Sequence, residues 1–160
     1  MKKTSYILVF VLSLNFLACS SSQSFNAFYN RHKTDTNVSS FQVPSYLRSI
    51  LKNTSPEMND LVKNVKDFKT ISFRDCSALQ NEQINNEINF ITKNFKDVVR
   101  NNSEEGNTLI SVKEKGDVIK EVIIHKSTNN NHKILFLKGN FNPERIEQLA
   151  SDNELENIGE

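Results

Sequence analysis

Three apolar, alternating segments near the end of the chain constrain the fold more than any other feature. They cover about Thr108 to Glu114, Val118 to Lys126 and His132 to Lys138, and each has the length of a strand. The segments between them, Lys115–Asp117 and Thr128–Asn131, carry the Gly, Asp and Asn residues that are typical of tight turns. Strands joined by such short turns run antiparallel, so this stretch predicts a three-stranded meander.

A long amphipathic helix before the meander is the second strong signal. Ser77, followed three residues later by Gln80, matches a capping box, which marks a helix start. Apolar residues then recur at helical spacing, in the order Ile84, Ile88, Ile91, Phe95 and Val98. This stripe predicts one helix that reaches Val98.

Weaker signals complete the order of elements. They predict a helix after Ser24, a strand from Val38 to Val43, helices opened by Pro44 and by Ser55–Pro56, a strand from Phe68 to Arg74, and a last helix after Asn142. The stripe of the helix after Ser55–Pro56 runs to Val65. The sequence therefore predicts one α+β domain over residues 25–150, with a mainly antiparallel sheet of about five strands and helices packed on one face. Residues 151–160 are interpreted as an acidic C-terminal tail.

The first residues have the layout of a secretory signal, with Lys2 and Lys3 before an apolar run from Tyr6 to Leu17. This run is about 12 residues long, whereas a membrane-spanning helix needs about 20. Cys19 follows a small residue at the end of the run and resembles the acylated cysteine of a bacterial lipobox. We therefore expect residues 1–18 to be a lipoprotein signal peptide and residues 19–24 to be a lipidated cysteine with a short Ser-rich tether. The alternative is an ordinary cleaved signal with a chance cysteine beside the cut.

A lipid on Cys19 would decide the location of the protein. The tether from Ser20 to Ser24 reaches on the order of 20 Å when extended, so the domain would sit close to the membrane. The tether has no acidic residue, which favours the periplasmic side of the outer membrane. Removal of Lys2 and Lys3 turns the formal charge of +1 into −1. A near-neutral protein is a poor partner for nucleic acid or anionic lipid.

Cys76 is the sharpest catalytic candidate. It lies between Arg74–Asp75 and the start of the long helix, where a thiol pKa can be lowered, and it has no disulfide partner in the chain if Cys19 is lipidated. A nucleophilic cysteine also needs a base, which one of the histidines would have to supply. The competing interpretation, a partly buried structural thiol, is favoured.

The three histidines are His32, His125 and His132. The last two flank the asparagine-rich turn on neighbouring strands. If the numbers of directly paired residues on these strands add up to an odd number, both histidines lie on one face of the sheet. Two histidines make half of a zinc site, and no further ligand has suitable spacing. We therefore predict no metal site and interpret them as exposed hairpin histidines.

Other chemistries lack a pattern. The pair Glu104–Glu105 lies in a polar turn and is interpreted as solvated charge. The chain has 4 glycines and neither a phosphate-binding glycine loop nor a nucleophile elbow, so no cofactor is predicted. Phe90 lies beside the apolar stripe of the long helix and is expected to be exposed, and an apolar patch near the membrane would mark a partner or lipid surface.

The assembled features resemble a known family. The segments that carry the resemblance are Phe28–Tyr29, Val38 to Leu51, Lys113–Gly116, Glu121–Ile124 and Leu137–Phe141. They are similar to the domain of unknown function 4252 family of Gram-negative envelope proteins and lipoproteins. The resemblance implies an export signal, often a lipobox, and one compact α+β domain. It implies no activity and no functional residue beyond Cys19.

The leading functional hypothesis is a lipid-anchored, non-enzymatic module that binds an envelope protein or other envelope partner near the membrane. One alternative is a hydrolase or thiol enzyme that uses Cys76 with a histidine. Another is a sensor or regulatory lipoprotein in envelope-stress signalling.

Overall fold

A computed structural model describes residues 24–44, 64–103, 106–144 and 146. In these ranges the elements are α1 (Phe25–His32), β1 (Val38–Gln42), β2 (Val65–Phe73), α2 (Ala78–Thr92), β3 (Lys96–Ser103), β4 (Gly106–Lys115), β5 (Val118–Thr128) and β6 (Asn131–Phe141). Pro143, Glu144 and Ile146 are also helical. None of the described helices has the length and apolar content needed to cross a bilayer.

The strands form one antiparallel sheet in the order β1-β2-β6-β5-β4-β3. The predicted meander is confirmed as β4, β5 and β6, and the predicted α+β class is confirmed with it. The sheet has six strands in the described part of the chain, one more than the sequence predicted. The extra strand is β3, which forms the edge beside β4.

The predicted continuation of the long helix to Val98 is wrong. Its start is as predicted, because Ser77 and Gln80 form both hydrogen bonds of the capping box. However, α2 ends at Thr92, whose hydroxyl donates to the carbonyl of Ile88 at 2.9 Å. After a short turn the chain enters β3, where the β-branched Val98 suits a strand and the backbone pairs with β4.

The predicted helical position of Val65 is also wrong. Val65 begins β2, pairs with Gly139 and is buried. Several other predictions lie outside the described residues: the signal peptide, Cys19, most of the tether, the bulk of the two helices opened by Pro44 and by Ser55–Pro56, the pair Glu104–Glu105, and the tail.

Apolar side chains cover both faces of the sheet because alternate strand residues point to opposite sides. One cluster joins α1 and α2 to the sheet, with Phe28, Ile88 and Ile123 at most 1% exposed. Both helices thus pack on one face, as predicted. The second cluster lies on the other face around Val122 and includes Ile146, in the helical turn after Asn142.

The direction of α1 defines two poles of the molecule. Its first residue, Phe25, stacks on Phe136 in the middle of β6, with ring centroids 4.8 Å apart. Its last residue, His32, contacts Phe73, which in turn contacts His132 near the β5–β6 turn. We call the end of the sheet with this turn the hairpin pole. The N-terminus of α1 therefore points away from the hairpin pole.

Candidate functional site

His125 and His132 meet beneath α2 at the hairpin pole. Lys126 pairs with Lys133 across β5 and β6, and the sum of these residue numbers is odd. The two histidines therefore share a face of the sheet, as expected for such a register. The predicted exposure is wrong, because His125 is 5% and His132 3% exposed. The N-terminal part of α2 and the asparagine-rich turn pack over this end of the sheet. The apolar pattern of the strands does not predict this packing, so it does not predict that the histidines are buried.

A directional chain of hydrogen bonds fixes the protonation of the two rings. Asn81 Nδ2 donates to the carbonyl of Asn129 at 3.1 Å, which leaves Asn81 Oδ1 to accept from His132 Nε2 at 2.7 Å. Neutral His132 then has an unprotonated Nδ1, and His125 Nε2 donates to it at 2.9 Å. This assignment follows from the hydrogen-bond network.

The surroundings of the pair keep both rings uncharged. Burial, and secondarily the neighbouring His132, lowers the pKa of the His125 imidazole to about 4. Burial also lowers the pKa of His132. A positive charge on either ring would be poorly solvated, so at neutral pH the pair is a neutral, stacked unit with ring planes 16° apart.

The asparagine-rich turn also holds the chain before α2. The backbone N–H of Cys76 donates to the carbonyl of Asn130 at 2.8 Å, and that of Asp75 donates to Asn131 Oδ1 at 3.2 Å. Asn129 has a φ of 36°, in the left-handed region that asparagine tolerates better than most residues. The asparagines of this turn thus have structural roles.

Cys76 does not have the environment of a thiolate nucleophile. Its side chain is 5% exposed and belongs to the apolar cluster under the helices. Burial, followed by the Asp75 carboxylate, raises the pKa of the thiol. Within the described ranges no hydrogen bond joins its sulfur to a histidine. The favoured interpretation as a structural thiol fits these observations.

His32 belongs to a separate polar cluster between α1 and α2. Its Nδ1 lies 2.7 Å from Asp35 Oδ2, and its Nε2 lies 3.3 Å from Glu87 Oε2. Arg31 binds the same Glu87 oxygen at 2.6 Å. These contacts join the two helices. Across the part of the chain with described coordinates, no group of three or more His, Cys, Asp or Glu side chains is arranged to hold a metal ion.

A polar pocket of about 470 Å³ opens at the hairpin pole. Its charged lining consists of Arg74, Lys126 and Lys133, and Ser72 and Asn131 are among its polar neighbours. We call it the hairpin pocket. Sequence reasoning missed it because Arg74 joins the two lysines only through the pairing of β2 with β6, which the chain order does not reveal.

A second concavity, of about 580 Å³, runs along the outer side of α2. Leu79, at 75% exposed, and Phe90, at 45%, give it an apolar lining, and Glu82 and Gln83 lie beside them. The predicted exposure of Phe90 is confirmed.

Sequence comparisons agree with the fold. No curated protein and no solved structure matches the chain. One family model matches residues 29–149, which cover the second half of α1, all of α2 and all six described strands. The chain therefore belongs to the family described as Domain of unknown function (DUF4252).

Proposed function

We propose that the protein is an exported envelope lipoprotein whose domain binds a partner close to the membrane and catalyses no reaction. The observation that carries the proposal is the position of Phe25, which is 3% exposed and stacked on the sheet. Ser24 caps α1 directly before it. Five residues thus separate Cys19 from the packed core, so a lipid on Cys19 would hold the folded domain within on the order of 20 Å of the bilayer.

The state of the candidate catalytic groups supports a binding role. The Cys76 thiol is buried with a raised pKa, and the His125–His132 pair is buried and internally hydrogen-bonded. His32 is held by two carboxylates. None of these groups combines an exposed reactive atom with a positioned base, which nucleophilic catalysis requires.

The direction of α1 supports one orientation of the anchored domain. Because its N-terminus points away from the hairpin pole, we propose that the hairpin pole projects from the membrane into the periplasm. The absence of an acidic residue between Ser20 and Ser24 supports the outer membrane as the anchoring membrane.

Metabolic labelling with a palmitate analogue, followed by membrane fractionation, tests the anchor. The wild-type chain should be labelled and recovered with outer membranes, whereas Cys19→Ser should lose the label. Cys76→Ser is the matched control, because it removes the other cysteine and should leave labelling unchanged. Label that persists in Cys19→Ser would refute lipidation at this residue.

In-cell crosslinking with mass spectrometry tests the partner. We expect a recurrent envelope partner with the wild-type chain and its loss with Cys19→Ser at equal abundance. If no partner recurs with the abundant, folded wild-type protein, the binding role is wrong. Turnover of a defined substrate that one substitution abolishes would also overturn it.

A further inference from the structure

The hairpin pocket brings positively charged side chains together. Lys126 and Lys133 are direct partners across β5 and β6, and like charges in such positions repel. Arg74 follows the last residue of β2, and its backbone N–H donates to the carbonyl of Asn37 at 3.0 Å. This bond fixes the backbone of Arg74 at the end of β2, and its side chain lines the same pocket as the two lysines. An anion in the pocket would be attracted to the charges of Arg74 and Lys133.

The described lining of the pocket contains no acidic side chain. Neither Arg74 nor Lys133 forms an ion pair with a described carboxylate. Several other basic side chains of the described chain are paired with acids: Arg31 with Glu87, Lys69 with Asp67, Lys96 with Glu114, Arg100 with Asp97, and Lys138 with Glu121. Arg74 and Lys133 therefore line the pocket without a carboxylate partner among the described residues.

Neutral donors complete the lining. Ser39, Ser72 and Thr128 contribute hydroxyl groups. Asn131 Oδ1 accepts from the backbone of Asp75, which leaves its Nδ2 as the polar atom available to a ligand. Cationic groups together with hydroxyl and amide donors match a ligand with several charged acceptor oxygens, and a guanidinium binds two oxygens of a phosphate at once.

We propose that the hairpin pocket binds a phosphate-type oxyanion carried by a small soluble molecule. Its volume of about 470 Å³ lies within the range of small-molecule sites. The phosphate group could come from a soluble phosphorylated compound or from a phospholipid headgroup. The soluble source is favoured because the pocket lies at the hairpin pole. This choice of source rests on the proposed anchoring at Cys19, which places that pole away from the membrane.

Titration calorimetry with inorganic phosphate and pyrophosphate tests the pocket. The full chain, purified in a non-ionic detergent, is titrated at low ionic strength near neutral pH. We expect saturable binding, weakened about tenfold by Arg74→Gln and by Lys133→Gln, because each variant removes a charge-assisted hydrogen bond. Lys115→Gln is the matched control at the opposite pole, and it should change the affinity by less than about twofold. Arg74→Lys keeps the charge but loses the planar fork, so it should give an intermediate affinity.

Unfolding midpoints of all four variants, measured in urea, identify any effect that comes from misfolding. Absence of saturable binding to either anion would overturn the proposal. Equal affinities in the wild type, Arg74→Gln and Lys133→Gln, with normal midpoints, would also overturn it.

A vesicle-binding experiment distinguishes a soluble phosphorylated compound from a phospholipid headgroup as the source of the phosphate. Sedimentation with phosphatidylcholine vesicles, with and without phosphatidylglycerol, should show no dependence on Arg74. Vesicle binding that Arg74→Gln abolishes and pyrophosphate displaces would refute the soluble source. Palmitate labelling of Cys19 does not involve the pocket, so failure of the anion experiment and failure of the anchor are separate results.

Discussion

Acidification should weaken the fold through the His125–His132 pair. In the folded protein the pKa of His125 is lowered from 6.5 to about 4, whereas an unfolded chain leaves the imidazole near its ordinary value. Between these two values the unfolded state binds more protons than the folded state. The contribution of His125 to stability is therefore complete above about pH 6.5 and is lost as the pH falls towards 4.

The expected size follows from the two pKa values. Integrating the difference in bound protons between about pH 7.5 and pH 5 gives a loss of about 2 kcal/mol in the free energy of unfolding from His125 alone. The full loss, below both pKa values, is about 3 kcal/mol. His132 acts in the same direction, because burial also lowers its pKa.

Urea unfolding of the wild-type chain and of His125→Gln, at about pH 7.5 and pH 5, measures this loss. Ordinary carboxylates titrate near pH 4, so they contribute little in this window. Glutamine carries no titratable group, so the variant should lose about 2 kcal/mol less than the wild type on acidification, whatever its stability at pH 7.5. If both proteins lose the same free energy, His125 is not the titrating group and the argument fails.

Three further substitutions or treatments test the packing of the described core. Asn81→Ala should cost about 1 to 3 kcal/mol in urea unfolding, because the buried His132 Nε2–H loses its acceptor. Gly139→Ala should lower the thermal midpoint strongly, since an added Cβ would overlap the carbonyl oxygen of Asn64; an unchanged midpoint would contradict this contact. Cys76 should react with iodoacetamide more slowly than a free thiol at neutral pH and at the ordinary rate in denaturant; fast native reaction would contradict its burial.

The sequence predicted those elements whose patterns are local. The capping box of Ser77 and Gln80 and the two turns of the meander all form as expected. The edge strand β3 was missed because most of its residues are exposed and polar, so it shows no alternation. Phe95 and Val98 continue the helical spacing of α2 by coincidence. Pairing of β3 with β4 overrides that spacing.

The Lys126–Lys133 pair was within reach of the sequence, because a two-residue turn after Thr128 fixes the register of β5 against β6. The position of Arg74 beside the lysines could not be predicted in this way, because it depends on β2 lying next to β6 in the sheet. Strand order in a sheet is set by packing between distant segments. A charged pocket assembled across such an order becomes visible only in the folded structure.

The asparagine-rich turn shows why composition alone misleads about a site. With 22 asparagines in the chain, those of the turn look like part of a general bias. In the structure, the carbonyl of Asn129 accepts a hydrogen bond from Asn81 in α2, and the carbonyl of Asn130 and the amide oxygen of Asn131 accept hydrogen bonds from the segment that leads into α2. The same turn sits beside the buried histidine pair and lines the hairpin pocket. An anion bound there would contact the segment that holds the N-terminus of α2, so ligand binding and the stability of this helix should be linked.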